Sequence, residues 1–92
     1  MTRAETLNRA YECVCKDREG KHGGAEDNFS TIARLWNAYK GDDIFDSKDV
    51  AIMMALLKIA RIRTGHGTED SYVDACGYLS CGAELDARLE DD

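Results

Sequence analysis

Two cations and two carboxylates stand on either side of one glycine turn in this chain: Lys58 and Arg61 before Gly65-His66-Gly67, Asp70 and Asp74 after it. At spacings of three, four and seven, Val50, Met54, Leu57, Lys58 and Arg61 share one helix face, so the two cations extend an apolar, inward-facing stripe. Such a pair can clamp a phosphate or carboxylate, with Arg61 as the planar fork and Lys58 as the point charge. The plainer alternative is that both complement the negative end of their helix and reach out to water. Asp70 and Asp74, four apart, stack on one face of the next helix, which Gly77, Tyr78 and Cys81 continue. Two carboxylates so placed repel unless a cation lies between them, either Mg²⁺ or Lys58 or Arg61 from across the turn. A structural pairing suffices for Asp70, because an acid in a first turn is already stabilised by the helix dipole. Asp74 lies a turn deeper, beside Gly77. That glycine costs about 1 kcal/mol of helix propensity, so close approach of a helix, ring or ligand is the motive expected for it.

The remaining clusters are weaker. Lys16 to Gly24 carries Arg18, Lys21 and His22 on a glycine-rich hinge before a helix start, a setting that favours an anion, but it lacks phosphate-loop spacing and reads equally as an ordinary charged loop. His22 and His66 each sit beside glycines, as exposed loop histidines do. Cys13-Val14-Cys15 and Cys76 to Cys81 have neither the spacer nor the histidine partners of a structural zinc site, so small buried thiols are expected. No nucleophile elbow, Walker or dinucleotide fingerprint is present.

The elements that must position these groups are helical. Eight glycines, no proline and long stretches without a turn signal exclude a many-stranded sandwich. Thr2-Arg3-Ala4-Glu5 predicts a capping box opening a first helix from about Arg3 to Asp17. Phe29, Ile32, Ala33, Trp36 and Tyr39 predict one face of a second, stopped by Gly41. Asp46 or Ser47 caps a third, whose run from Val50 to Leu57 is apolar on every side and must be enclosed by neighbours. Thr68 caps a fourth, which runs to about Leu89 before a frayed acidic end at residues 90–92. One all-α domain over residues 1–92 is expected, a compact four-helix bundle. Three partners from so small a chain cover the third helix poorly, so homo-oligomerisation should complete the bundle.

Twelve Lys and Arg against eighteen Asp and Glu give a net charge of −6 and a pI near 4.8. Wrapping of duplex nucleic acid is thereby disfavoured, although a small anion in a local basic pocket is not. No run reaches about 18 apolar residues, and the first five residues lack a signal peptide's apolar core, so a cytoplasmic location with no membrane partner is expected.

Four ordered blocks carry a family resemblance: Lys21-His22-Gly23-Gly24-x-Glu26-Asp27-Asn28-Phe29, Ile32-Ala33-x-Leu35-Trp36, Asp49-Val50-Ala51-x-Met53-Met54-x-Leu56-Leu57-Lys58-x-Ala60-Arg61, and Glu69-Asp70-Ser71-x-x-Asp74-x-x-Gly77-Tyr78. Over residues 3 to 86 the chain resembles a small phage and prophage family known only as a domain of unknown function. More distantly, Lys58, Arg61, Asp70, Asp74 and Gly77-Tyr78 are similar in arrangement to MazG-like all-α nucleoside triphosphate pyrophosphohydrolases, which implies a helical, oligomeric nucleotide site. Enzymes of that type hold Mg²⁺ with Glu-Glu-x-x-Glu and a later Glu-x-x-Asp. Here the first motif is absent and Ser71 stands three residues before Asp74. A site short of metal ligands can still bind a nucleotide while cleaving it poorly. The expected function is therefore a phage-derived protein that binds, and sequesters, a nucleotide or nucleotide-derived defence signal through Arg18, Lys21, His22, Asn28, Trp36, Lys58, Arg61, Asp70, Asp74 and Tyr78. The alternatives are a Mg²⁺-dependent pyrophosphohydrolase, with Asp70 and Asp74 as ligands beside acids such as Glu26 or Asp27, and a ligand-free helical adaptor.

Overall fold

The structure, a computed structural model, describes residues 1–17 and 25–91, with side chains for 1–16 and 28–88. Among the described residues it is all-helical: α1 (Arg3–Glu12), a π-helical segment (Cys13–Asp17), α2 (Ala25–Lys40), α3 (Ser47–Arg63) and α4 (Glu69–Asp91). The Thr2 hydroxyl accepts from the Glu5 amide (3.1 Å) and the Glu5 carboxylate from the Thr2 amide (3.3 Å), the reciprocal cap that the spacing predicted. The same caps hold the Glu5 carboxyl below its ordinary pKa, the Thr2 side chain first and the backbone second. The first helix, expected as one element from about Arg3 to Asp17, instead widens into the π segment in its last turn.

Helix α2 ends at Gly41, whose φ of +75° suits glycine. Asn37 then ties down the following loop, its side chain accepting from the Ile44 (3.1 Å) and Phe45 (2.8 Å) amides and donating to the Phe45 carbonyl (2.9 Å). The loop folds against Trp36, whose ring meets Phe45 edge-on at 5.6 Å. Tyr39, expected on the packed face, is instead 90% exposed, since the loop returns along the Trp36 and Asn37 side of that turn.

Asp46, rather than Ser47, caps α3, and Asp49 reciprocates (2.8 and 3.0 Å). At the other end the His66 amide bonds the Arg61 carbonyl and the Gly65 amide the Ile62 carbonyl, a Schellman stop with Gly65 at φ +82°. Gly67 follows where the chain doubles back, so close that a Cβ there would lie 2.8 Å from Ile62 Cα. Thr68 stands at the start of α4, but the capping side chain is the buried Ser71, whose hydroxyl accepts from the Thr68 amide (3.2 Å). Helix α4 continues to Asp91, two residues past the expected end.

Helices α3 and α4 run antiparallel: Lys48 bonds Asp86 (3.3 Å), Ile52 lies over Gly82, and Lys58 bonds Asp74 (3.2 Å). Small residues make this closeness attainable. The core gathers Phe29 and Ala33 of α2 with Val50 and Ala51 of α3, rimmed by Trp36, Phe45, Met54, Tyr78 and Leu85. Ala10, Ala55, Val73 and Ala75 complete the buried set. The expectation that α3 is enclosed on every side fails within one chain: Val50, Ala51 and Ala55 are buried, whereas Ile52, Met53, Leu56, Leu57 and Ile59 are exposed. The inward stripe likewise holds for Val50, Met54 and Lys58 but not for Leu57 and Arg61, which are exposed. No helix among the described residues is long and apolar enough to cross a membrane.

Candidate functional site

A cavity of about 170 Å³ opens where the π segment, α2 and α4 meet. Cys13 and Val14 form one wall, Phe29 another, and Val73, Asp74, Gly77, Tyr78 and Cys81 of α4 the third. The bare Gly77 lets Val14 approach, since a Cβ there would stand 3.0 Å from the valine methyl. The Phe29 and Tyr78 rings lie 6.1 Å apart, tilted by 46°, so two aromatic surfaces bound one space. Departures from α-helical winding recur at functional sites, and here the departure supplies a cavity wall.

The charge arrangement follows from the helix packing. Asp74, at the cavity wall, pairs with Lys58 from α3; the lysine side chain is 21% exposed and the carboxylate 40%. Asp70 pairs with Arg9 of α1 instead, and the N-terminal ammonium with Glu69 (3.3 Å). The stacked carboxylates are thus neutralised separately, by two cations from two different helices. Among the described residues no three Asp, Glu, His or Cys side chains come together as metal ligands. The side chains of Glu26 and Asp27 lie outside the described ones.

Of the residues expected to bind a ligand, the structure brings together Asp74, Tyr78 and Lys58, the last through its ion pair with Asp74. Arg61 is exposed one turn beyond Lys58. Asp70 belongs to the α1–α4 contact, Asn28 is exposed on α2, and Trp36 packs in the core rim. Arg18, Lys21 and His22 lie outside the described residues. Between α3 and α4, Ala51 and Ile52 lie over Gly82 and Lys58 pairs with Asp74, and the cavity opens beside that pair, toward α2 and the π segment. Sequence reasoning missed Cys13, Val14, Phe29, Val73 and Cys81 as lining residues; Gly77 was the signal for them, because its missing side chain marks the approach. Cys13 and Cys15, expected as buried thiols, are exposed on the π segment.

A second, shallower groove of about 470 Å³ runs between α1 and α4, walled by Leu7, Tyr72 and Cys76.

Curated relatives include the Gene 55 protein of Mycobacterium phage L5, 43% identical over 72 residues, and that of Mycobacterium phage D29, 36% identical over 75. The matches cover 78% and 82% of this chain but 46% and 49% of those proteins, so the chain spans about half the length of the curated relatives it matches. No solved structure is a significant match. The signature of a family described as a domain of unknown function, DUF6378, covers residues 5–86, and the chain belongs to that family.

Proposed function

We propose that the protein is a phage nucleotide-binding module that holds a nucleotide or nucleotide-derived defence signal in the host cytoplasm without efficient turnover. The observation that carries this reading is the cavity bounded by Phe29 and Tyr78 with Asp74, paired with Lys58, at its wall. A cavity of roughly 150 Å³ admits one benzene-sized ring. A base fits such a space while the phosphates remain outside, where Lys58 and then Arg61 offer a point charge and a bidentate fork. Asp74 supplies an acceptor for the exocyclic amine or ring N–H of a base. Separate neutralisation of Asp70 and Asp74 supports binding over phosphoryl transfer, which needs metal and cations converging on the phosphates. The resemblance to MazG-like proteins supports the same site class, and with it a MazG-like bundle completed by self-association.

The test incubates the purified chain with nucleoside mono-, di- and triphosphates and cyclic nucleotides, with Mg²⁺ or a chelator, followed by chromatography and calorimetry. Retention of one compound unchanged, at an affinity that the chelator leaves within tenfold, is the expected result. Cleaved product moves the protein to the pyrophosphohydrolases, and neither binding nor cleavage leaves the adaptor role. Arg61→Lys should weaken retention by about 1.5–3 kcal/mol, the worth of a hydrogen bond to a charged group, with the melting temperature unchanged.

A further inference from the structure

The outer face of α3 carries Asp49, Ile52, Leu56, Ile59 and Arg63 at alternating steps of three and four, the seam spacing of a helix that packs lengthwise on another helix. Its apolar members are 38%, 57% and 46% exposed in the single chain, Ile52 at the edge with its tip over Gly82, and Met53 beside them is 39% exposed. We infer that this face is the contact between two copies of the chain, with the α3 helices antiparallel and a two-fold axis beside Leu56. The self-association in the functional reading is thereby given a surface, but the inference is independent of any ligand.

Charge singles out a second copy as the occupant. The stripe ends in an acid at one terminus and a cation at the other. About an axis at Leu56, each residue meets the one equally far on the opposite side, so Asp49 of one protomer meets Arg63 of its partner, and the pair is made twice. Ile52 then packs beside Ala60, and Met53 beside Ile59. Arg63 has no ion pair among the described residues. Asp49 spends one carboxylate oxygen on the Asp46 amide (3.0 Å), leaving the other to accept from a guanidinium. The acids Asp42, Asp43 and Asp46 precede the α3 start, whereas Arg61 and Arg63 close its end, so antiparallel pairing sets opposite fields together and parallel pairing sets like fields together. A surface complementary to itself under a two-fold rotation is the mark of an isologous dimer.

Sedimentation equilibrium and light scattering of the full chain at micromolar concentration test this. The expected result is twice the 10.2 kDa chain mass. Leu56→Glu, at an exposed position, should return the mass to one chain while circular dichroism keeps the helix content. Arg63→Glu should raise the dimer dissociation constant tenfold or more. Leu56→Cys should form a cross-link that peptide mapping places between the two copies of position 56. A folded wild-type chain that stays at one chain mass, as when the face serves another partner or the additional length of the longer relatives, overturns the proposal. A dimer that survives Leu56→Glu overturns it equally.

Discussion

The two sides of α3 use opposite side-chain sizes. Toward α2 and α4 it buries Val50, Ala51 and Ala55, with Met54 at the core rim and Ile52 at the edge, reaching Gly82; its other large residues, Met53, Leu56, Leu57 and Ile59, face out. An isolated domain gains most by burying its largest apolar groups. The inversion teaches that the inner face is shaped for closeness, with Ala51 and Ile52 against Gly82 in α4, and that the apolar area of the outer face is available for association. Charges divide the same way. Lys48 and Lys58 are paired across the inner seam with Asp86 and Asp74, whereas Arg61 and Arg63 are exposed.

The largest effect that sharpens this contrast lies at Phe29, the one large ring in the central cluster, 1% exposed. Phe29→Ala should cost about 3–5 kcal/mol, a large part of a small domain's stability, in urea denaturation of the whole chain. Leu56→Ala should by contrast leave the unfolding midpoint of dissociated chains within about 0.5 kcal/mol of wild type. If the two substitutions cost the same, the division between an inner and an outer face is wrong.

Next come the glycines. Gly67→Ala sets a methyl against the Ile62 backbone, which cannot yield, and should cost about 1–3 kcal/mol. Gly82→Ala meets only the flexible tip of Ile52 at 3.2 Å, and removing a mid-helix glycine recovers up to about 1 kcal/mol, so its melting temperature should hold or rise. Lys58→Met keeps the stem and removes the charge opposite Asp74; with both groups partly solvated, thermal melts should show a loss of about 1 kcal/mol.

The smallest effect is a pH dependence at the α1 cap. The Glu5 carboxyl is lowered in the folded chain, so the stability it contributes is fully present above the unfolded carboxylate range and fades as pH falls through the folded value. Amide exchange in the first turn of α1 should therefore accelerate on acidification, and Thr2→Ala should remove most of that acid sensitivity.

The sequence stated helix positions well where a local rule governed them. The Thr2–Glu5 box, a cap at Asp46 or Ser47, and the Gly41 and Gly65 stops depend on residues within a few positions of one another. It misled where the answer depended on which element lay across. Apolarity on every side of α3 required burial, and nothing local shows that Ala51 and Ala55 face the chain's own core while Leu56 does not. Asp74 was singled out from its depth in the helix and its glycine neighbour, and it lies at the cavity wall. Its pairing with Lys58 was one of the open choices and Asp70's with Arg9 was not among them, since only packing brings α1 beside the start of α4. Cys13, Phe29 and Cys81 converge from three elements, and no spacing within one of them records that.

The π segment has a consequence for how this protein tolerates insertions and deletions. A π turn holds about one residue more than the α turn it replaces, so it acts as a phase shifter along the first helix. Upstream of it, Arg9 and Ala10 are set toward α4; within it, Val14 is set onto Gly77. Regular α winding of the same residues would turn those after the segment's start by about 100°, whereas removing one residue of the widened turn lets α winding resume with the flanking residues in phase. This stretch should therefore absorb the loss of one residue that a regular turn of α1 would not, and substitutions at the exposed Cys15 leave the phasing intact.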